Sequence, residues 1–432
     1  MRFRNIFEES RMRKFTIMFL LIFFAFLFQR VDVYSQTKST NSNQKISLED
    51  LLKQNSYELK ITGGILSGDG KDFLIKAAER TQFFTIAEPH NAKEVPEITT
   101  LIFKLLHEKY GYNYLALEQD PIMGKMVSAP TAVGKRDFMV SLARKYPNAF
   151  TFITDQELEM IAEAGKISDG KGNKIWGIDQ VFGVVHALEK LVEYAPNDDV
   201  RQRTLKLLET LKKNEAEEAK KLERYTMADV VGLEELDKLL ADYKPEKNPE
   251  AEFIIAQMIL SRQIYKNNIR AGKGELTGFI SNQEREENMK MLFINEYRKA
   301  QIADKSLPKV LLKAGHYHTI RGRNWSNVLS LGNFLSEFAK SNDMESFHLA
   351  LYNNNVSGDY GVLSKSEDYK PLAAAASTDK WVVIDLRPIR NYAHAGKIAD
   401  LNAEMRRIIF GFDAALLIGG GSRGTYKLLG VQ

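Results

Sequence analysis

Seven short apolar runs recur along the 432-residue chain, and helical stretches separate several of them. The runs are Gln82–Ala87, Tyr112–Leu117, Lys174–Ile178, Lys309–Lys313, Phe347–Tyr352, Trp381–Ile384 and Ala414–Ile418. Each is rich in β-branched or aromatic residues and is bounded by turn formers, which is the pattern of a buried strand. Their apolar character is continuous rather than alternating, so both faces of the sheet must be covered. The expected fold class is therefore α/β: a mainly parallel central sheet with helices on both faces.

The segments between the runs support this. Ala92–Tyr110 carries Val95, Ile98, Leu101, Ile102, Leu105 and Leu106 at three- and four-residue spacing, the stripe of an amphipathic helix. From about residue 186 to 300 the pattern is almost wholly helical, as in Val200–Tyr225, where Leu205, Leu207, Leu208 and Leu211 form a stripe. The Glu- and Lys-rich remainder is its solvated face. This region reads as a large helical insertion between two halves of the sheet. Val362–Thr378, with four consecutive alanines, reads as a loop. Gly419-Gly420-Gly421 reads as a turn; no helix follows it, so it does not suit a phosphate loop.

The N-terminus reads as an export signal. Arg2, Arg4, Arg11, Arg13 and Lys14 precede a 14-residue apolar run, Phe15–Phe28, and Ser35 offers a small residue for cleavage. Spanning a bilayer takes about 20 apolar residues, so cleavage is preferred to an uncleaved anchor. Residues 1–35 are then a signal peptide, 36–56 a polar flexible lead-in, and 57–432 the folded domain of a periplasmic or secreted protein without a stable membrane span. Residues 1–35 hold six Lys/Arg and three Asp/Glu, which leaves 54 basic and 53 acidic residues. That near-neutral balance gives no support for a nucleic-acid partner. There is no cysteine, which excludes disulfides, thiol catalysis and thiolate metal sites. Oligomeric state leaves no mark in the sequence.

Chemistry-bearing residues gather at strand ends. Glu88 and His90 follow the first run, with Glu94 a turn later; Glu118 and Asp120 follow the second; Asp179 follows the third; His316 and His318 follow the fourth. Each motif alone also suits a capping turn, with Asn91 the candidate cap after His90. A parallel sheet brings such ends to one edge, where α/β folds bind ligands. Histidine near its intrinsic pKa of about 6.5 is a suitable base for activating water, and a neighbouring carboxylate fixes its tautomer. If the chain stays extended after Gly315, His316 and His318 point to one side and can share a metal or a proton-transfer task. His107, His186, His348 and His394 read as structural. No GxSxG elbow precedes a helix, so a serine acyl-enzyme is unsupported, and the HExxH motif is absent. Direct attack by water, with or without a divalent metal, is the chemistry that remains.

Several blocks resemble the erythromycin esterase-like family, within a wider group that includes Tiki-type metalloproteases and ChaN-type haem-binding proteins. They are Ala87-Glu88-Pro89-His90 with Glu94, Tyr114–Asp120, Trp176-Gly177-Ile178-Asp179, Arg285-Glu286-Glu287-Asn288-Met289, Lys313–His318, Asp385-Leu386-Arg387 and Gly411-Phe412-Asp413. The resemblance implies ester hydrolysis of a small molecule without a cofactor. His90 would be the base, Glu88 and Glu118 would orient it or bind water, and His316 and His318 would polarise the carbonyl or assist proton transfer. Arg285 would reach the same cleft, with Glu94, Asp120 and Asp179 in support. The esterases place two residues between Glu and His, whereas only Pro89 intervenes here. That spacing is closer to the wider group. It keeps two alternatives: a Tiki-type hydrolase or protease with Mn, Co or Zn held by Glu88, His90, His316 and His318, and a non-catalytic binder of haem or another small molecule.

Overall fold

The computed structural model describes residues 45–430, apart from 130–131, 133, 169–171, 222, 244–247, 354–362, 364–365 and 378. The expected signal peptide and most of the lead-in lie outside the described residues. The last part of that lead-in holds a helix, Leu48–Gln54, with Leu48, Leu51 and Leu52 buried. Among the described residues no helix is long and apolar enough to cross a membrane.

All seven expected strands are present, with ends shifted by up to two residues. They are β3 (Thr81–Glu88), β4 (Tyr114–Leu117), β5 (Ile175–Gly177), β6 (Val310–Gly315), β7 (Glu345–Asn353), β8 (Trp381–Asp385) and β9 (Ala414–Ile418). Two more precede them: β1 (Ser56–Thr62) and β2 (Ile65–Ser67), a hairpin turning on Gly63 and Gly64, both at positive φ. The nine strands form one sheet in the order β2-β1-β8-β9-β7-β3-β6-β4-β5. From β9 to β5 every pairing is parallel, while the β8–β9, β1–β8 and β1–β2 pairings are antiparallel.

Side-chain alternation sorts each strand between two cores. On one face Phe84, Ile86, Leu115, Leu311, Leu349 and Leu416 join a continuous cluster. It packs against helices α1 (Glu94–Tyr110), α2 (Pro121–Ser128) and α3 (Asp155–Ile167) and extends into the insertion. On the other face the apolar contacts divide. Phe83, Ala116, Trp176 and Leu312 meet residues of the later helices, and Ala350, Ala415 and Leu417 meet Ile389, Met405 and Ile408. The insertion between β5 and β6 is helical as expected. It ends in two long helices, α4 (Pro249–Gly272) and α5 (Gly278–Asp304); α6 (Leu331–Ser341) follows β6.

Some local expectations are corrected. Lys370–Ala375 is a helix preceded by a short 3-10 turn at Glu367–Tyr369, so Val362–Thr378 is not wholly loop; alanine is the best helix former, and Pro371 fits a first turn. The helix expected over Val200–Tyr225 runs from Asp198 to Lys220 and leaves Leu205 outside its buried stripe. Asn91 does not cap α1. It sits at φ 61°, and Lys93 holds the cap position without a side-chain bond.

Candidate functional site at the strand ends

The parallel register decides which side chains meet. Glu88 pairs with Gly315 across β3–β6, and Leu117 pairs with Lys313 across β4–β6, so three strands end together. Alternation turns Glu88 and Lys313 toward the same face as Phe84, Ile86 and Leu311. Both are almost fully buried there, and a lone charge in that position would cost several kcal/mol. The fold compensates each with the other. Lys313 Nζ donates to Glu88 Oε2 (2.6 Å) and to Glu157 Oε1 of α3 (2.8 Å).

His90 stands on the turn after β3. Its Nδ1 faces Glu88 Oε1 at 3.7 Å, and among the described residues neither of these buried atoms has a hydrogen-bond partner. Its ring stacks on Phe152 with centroids 4.6 Å apart, and Lys313 lies over the same phenyl ring at 5.3 Å. Gly315 permits this approach, since a Cβ there would lie 3.1 Å from His90 Nε2 and 3.3 Å from Glu118 Oε2. Two cavities open beside His90. One of about 120 Å³ is bordered by Asn353, Arg423 and Tyr426; one of about 360 Å³ is bordered by Phe152, Arg224 and Tyr426.

Glu118 is the second buried carboxylate. Gly315 N donates to its Oε2 (2.7 Å), and Arg285 donates to its Oε1 (2.9 Å). Arg285 reaches from α5 and also forms a two-point pair with Asp179 (2.9 and 2.6 Å). His318 approaches Glu118 with Nε2 at 3.6 Å, while its Nδ1 meets Glu286 at 2.8 Å.

Charge sets the protonation states. Burial pushes Glu118 up, but His318, Arg285 and His90 outweigh it and hold it at about 2. Burial likewise raises Glu88, and Lys313 and His90 reverse the shift to below the usual carboxylate range. His90 lies above 6.5: burial disfavours its cation, and Glu88 and Glu118 more than compensate. Glu157 is pushed up to about 7 by burial and by Glu88, against the pull of Lys313. Burial lowers His318 too, but Glu286 and Glu118 carry it above its ordinary value.

His316 behaves differently. The chain does not stay extended after Gly315 but makes one helical turn, His316–Thr319. The two imidazoles therefore separate. His316 Nδ1 lies 3.1 Å from the carbonyl of Glu88, and the ring packs on Tyr352 and Phe412. Burial, with His90 nearby, lowers it to about 4, so it is neutral at pH 7. The carbonyl assigns the proton to Nδ1, which makes Nε2 an acceptor, and among the described residues that buried atom has no partner of hydrogen-bond geometry. Among the described residues, the group able to bring three ligand atoms within 4.8 Å of one another is Glu88, His90 and Glu118. It contains neither His316 nor His318.

Glu94 and Asp120 hold the surrounding chain in place. Glu94 accepts from the backbone and hydroxyl of Ser422 (2.9 and 2.8 Å). Asp120 caps α2 through Ile122 N and Met123 N and lies 3.2 Å from His186 Nε2. Three participants were not singled out from sequence: Lys313, Glu157 and Glu286. The first two had one readable signal, a charge on the apolar stripe of a strand or helix.

No family model matches the sequence, and no curated protein matches it significantly. Solved structures do. A mutant of an erythromycin esterase, EreC, in its open conformation superposes with a TM-score of 0.54 at 13% identity, covering 88% of this chain and 98% of that one. The chain shares the fold of that esterase. A succinoglycan biosynthesis protein gives 0.55 at 14% identity over 90% and 100% of the two chains. A Bacillus cereus protein gives 0.54 at 16% over 88% and 98%. At these identities the likeness is one of fold, spanning nearly the whole of each relative.

Proposed function

We propose that the protein is an exported hydrolase that uses His90 to activate water against an ester bond of a small substrate. One observation carries this reading. A buried, charge-compensated carboxylate, Glu88, stands 3.7 Å from one nitrogen of a histidine that borders two cavities. The fold likeness to an erythromycin esterase agrees with it.

The chemistry follows from the arrangement. Glu88 faces Nδ1, leaving Nε2 to take a proton from water as the water oxygen bonds to the acyl carbon. The spacing of 3.7 Å is longer than a hydrogen bond; such contacts tighten once substrate is bound. Glu88 and Glu118 stabilise the imidazolium so formed. The ester C–O bond then breaks and the proton passes to the departing alkoxide. Glu118 is itself held by Arg285 and Gly315, so its charge is fixed before substrate arrives. His316, neutral and accepting through Nε2, fits a hydrogen-bonding role better than carbonyl polarisation.

A panel of model esters assayed with the wild type and His90→Ala tests the reading. Hydrolysis should disappear in the variant and persist in the presence of chelator. Turnover that survives the substitution would overturn it.

A second reading has its own observation. The approach of Glu88, His90 and Glu118 to within 4.8 Å suits a divalent cation. Lys313 and Arg285 already neutralise both carboxylates, which weakens their pull on a metal. Metal analysis of the purified protein separates the two: stoichiometric Mn, Co or Zn, with activity lost on chelation and restored by that ion, favours the metallohydrolase.

A further inference from the structure

Asn353 is the last residue of β7, the strand beside β3. Ala350 pairs with Ala87, which puts Asn353 level with the turn that carries His90. Its side chain is fully buried, yet among the described residues neither Oδ1 nor Nδ2 has a hydrogen-bond partner. More than about nine in ten buried polar groups are paired, and each unpaired one costs about 1–3 kcal/mol. Two orphan atoms on one carboxamide therefore need a reason.

The surroundings supply one. Asn353 borders the 120 Å³ cavity together with His90, Asn91, Arg423 and Tyr426. Gly421 lies against the carboxamide, and a Cβ there would sit 3.1 Å from both Cγ and Oδ1. The missing side chain at 421 leaves the carboxamide its place.

We infer that Asn353 reads the substrate, by binding a vicinal diol on a ring held beside His90. The inference rests on the hydrolase reading of the same cleft and adds a substrate class to it. A free carboxamide offers donors and acceptors on adjacent atoms. A carboxylate supplies no donor and an ammonium no acceptor, so neither satisfies both atoms. Two neighbouring hydroxyls satisfy both. A primary amide also would, but Tyr426 borders both cavities and Phe152 the larger one, which suits the C–H faces of a ring.

The test uses methyl β-D-glucopyranoside as the diol, tetrahydropyran as the bare ring and propionamide as the amide. Binding is measured by ligand-observed NMR and by the melting midpoint, with wild type, His90→Ala, Asn353→Ala and Gly421→Ala. The glucoside should bind wild type and His90→Ala, and tetrahydropyran should bind neither. Asn353→Ala should raise the glucoside Kd at least tenfold. Gly421→Ala crowds the carboxamide from outside and should do the same, which keeps the test decisive if Asn353→Ala folds poorly. Absence of glucoside binding to wild type, equal binding by both variants, or preference for propionamide would each overturn the inference. Ester turnover that survives His90→Ala sinks the hydrolase reading by a different measurement, and the binding result still decides the role of Asn353.

Discussion

Lys313 Nζ lies 2.6 Å from Glu88 Oε2, and both side chains are sealed from solvent at the end of the sheet. The pair keeps Glu88 an anion where burial alone would protonate it. It thereby governs His90, although Lys313 need never touch a substrate.

Removing the ammonium should show this. Lys313→Met leaves Glu88 and Glu157 without their cation and should destabilise the fold by about 3–5 kcal/mol, the usual effect of breaking a buried pair. The double variant Lys313→Met/Glu157→Gln should recover part of that loss. Urea denaturation measures both, and a single variant as stable as wild type would contradict the compensation described here.

On the proposed reading with His90 as base, the rate of ester hydrolysis should fall on the acid side through a value above 6.5, because Glu88 and Glu118 favour protonated His90 and the base must be neutral. Glu118→Gln removes one of those charges. Its acid limb in kcat/KM should move to lower pH while the plateau drops. A limb that stays in place would mean that another group titrates.

Stability has a separate acid window. His348 is buried between the Thr319 carbonyl and the Ser336 and Ser346 hydroxyls, and burial together with Arg321 lowers it to about 3. A histidine lowered on folding is neutral in the native state and charged in the unfolded one. Its contribution is complete above pH 6.5 and is lost as pH falls toward 3. The slope from one such group approaches about 1.4 kcal/mol per pH unit. His348→Gln should flatten the decline between pH 6 and 4 in denaturant titrations, whatever it does to stability at pH 7.

A fourth expectation concerns the wall of the cleft. Asp155 accepts from the Thr425 hydroxyl (2.6 Å) and from Lys427 N and Leu428 N (both 2.9 Å). Asp155→Ala should loosen residues 422–429, raise KM more than it lowers kcat, and speed proteolysis there. Kinetic constants in line with wild type would show that the wall does not shape binding.

The parts legible in the sequence were those where one physical cause dominates. Strands β3 to β9 are apolar on both faces, so their runs are unbroken and easily seen. The β1–β2 hairpin was missed because Ser56–Thr62 is mostly half-exposed and mixes Glu58 and Lys60 with Leu59 and Ile61. Gly177 is a close approach of β5 to the chain after β4, for a Cβ there would meet the Asp120 carbonyl at 2.1 Å. Strand-end logic placed Glu88, His90 and Glu118 together. It failed to separate His316 from His318, since whether the chain coils after Gly315 depends on tertiary contacts such as Glu286 with His318. Glu157 escaped notice because a glutamate on an amphipathic helix ordinarily faces water. Its place on the stripe with Ile161 and Ala164 is the one mark that it does not.

The same wall has a consequence for how the molecule is made. Ser422 is bonded to Glu94 across 328 residues of chain, and Thr425 to Gln156 across 269. Gly424 fits against Thr154 so closely that a Cβ would lie 2.5 Å from Cγ2. Contacts of such sequence separation carry a large loop-closure cost and form late. In refolding, helical signal should therefore return before ester hydrolysis does. The interval between the two measures how long the helices exist before the sheet, whose β1–β8 pairing bridges a comparable length of chain, and the cleft are assembled.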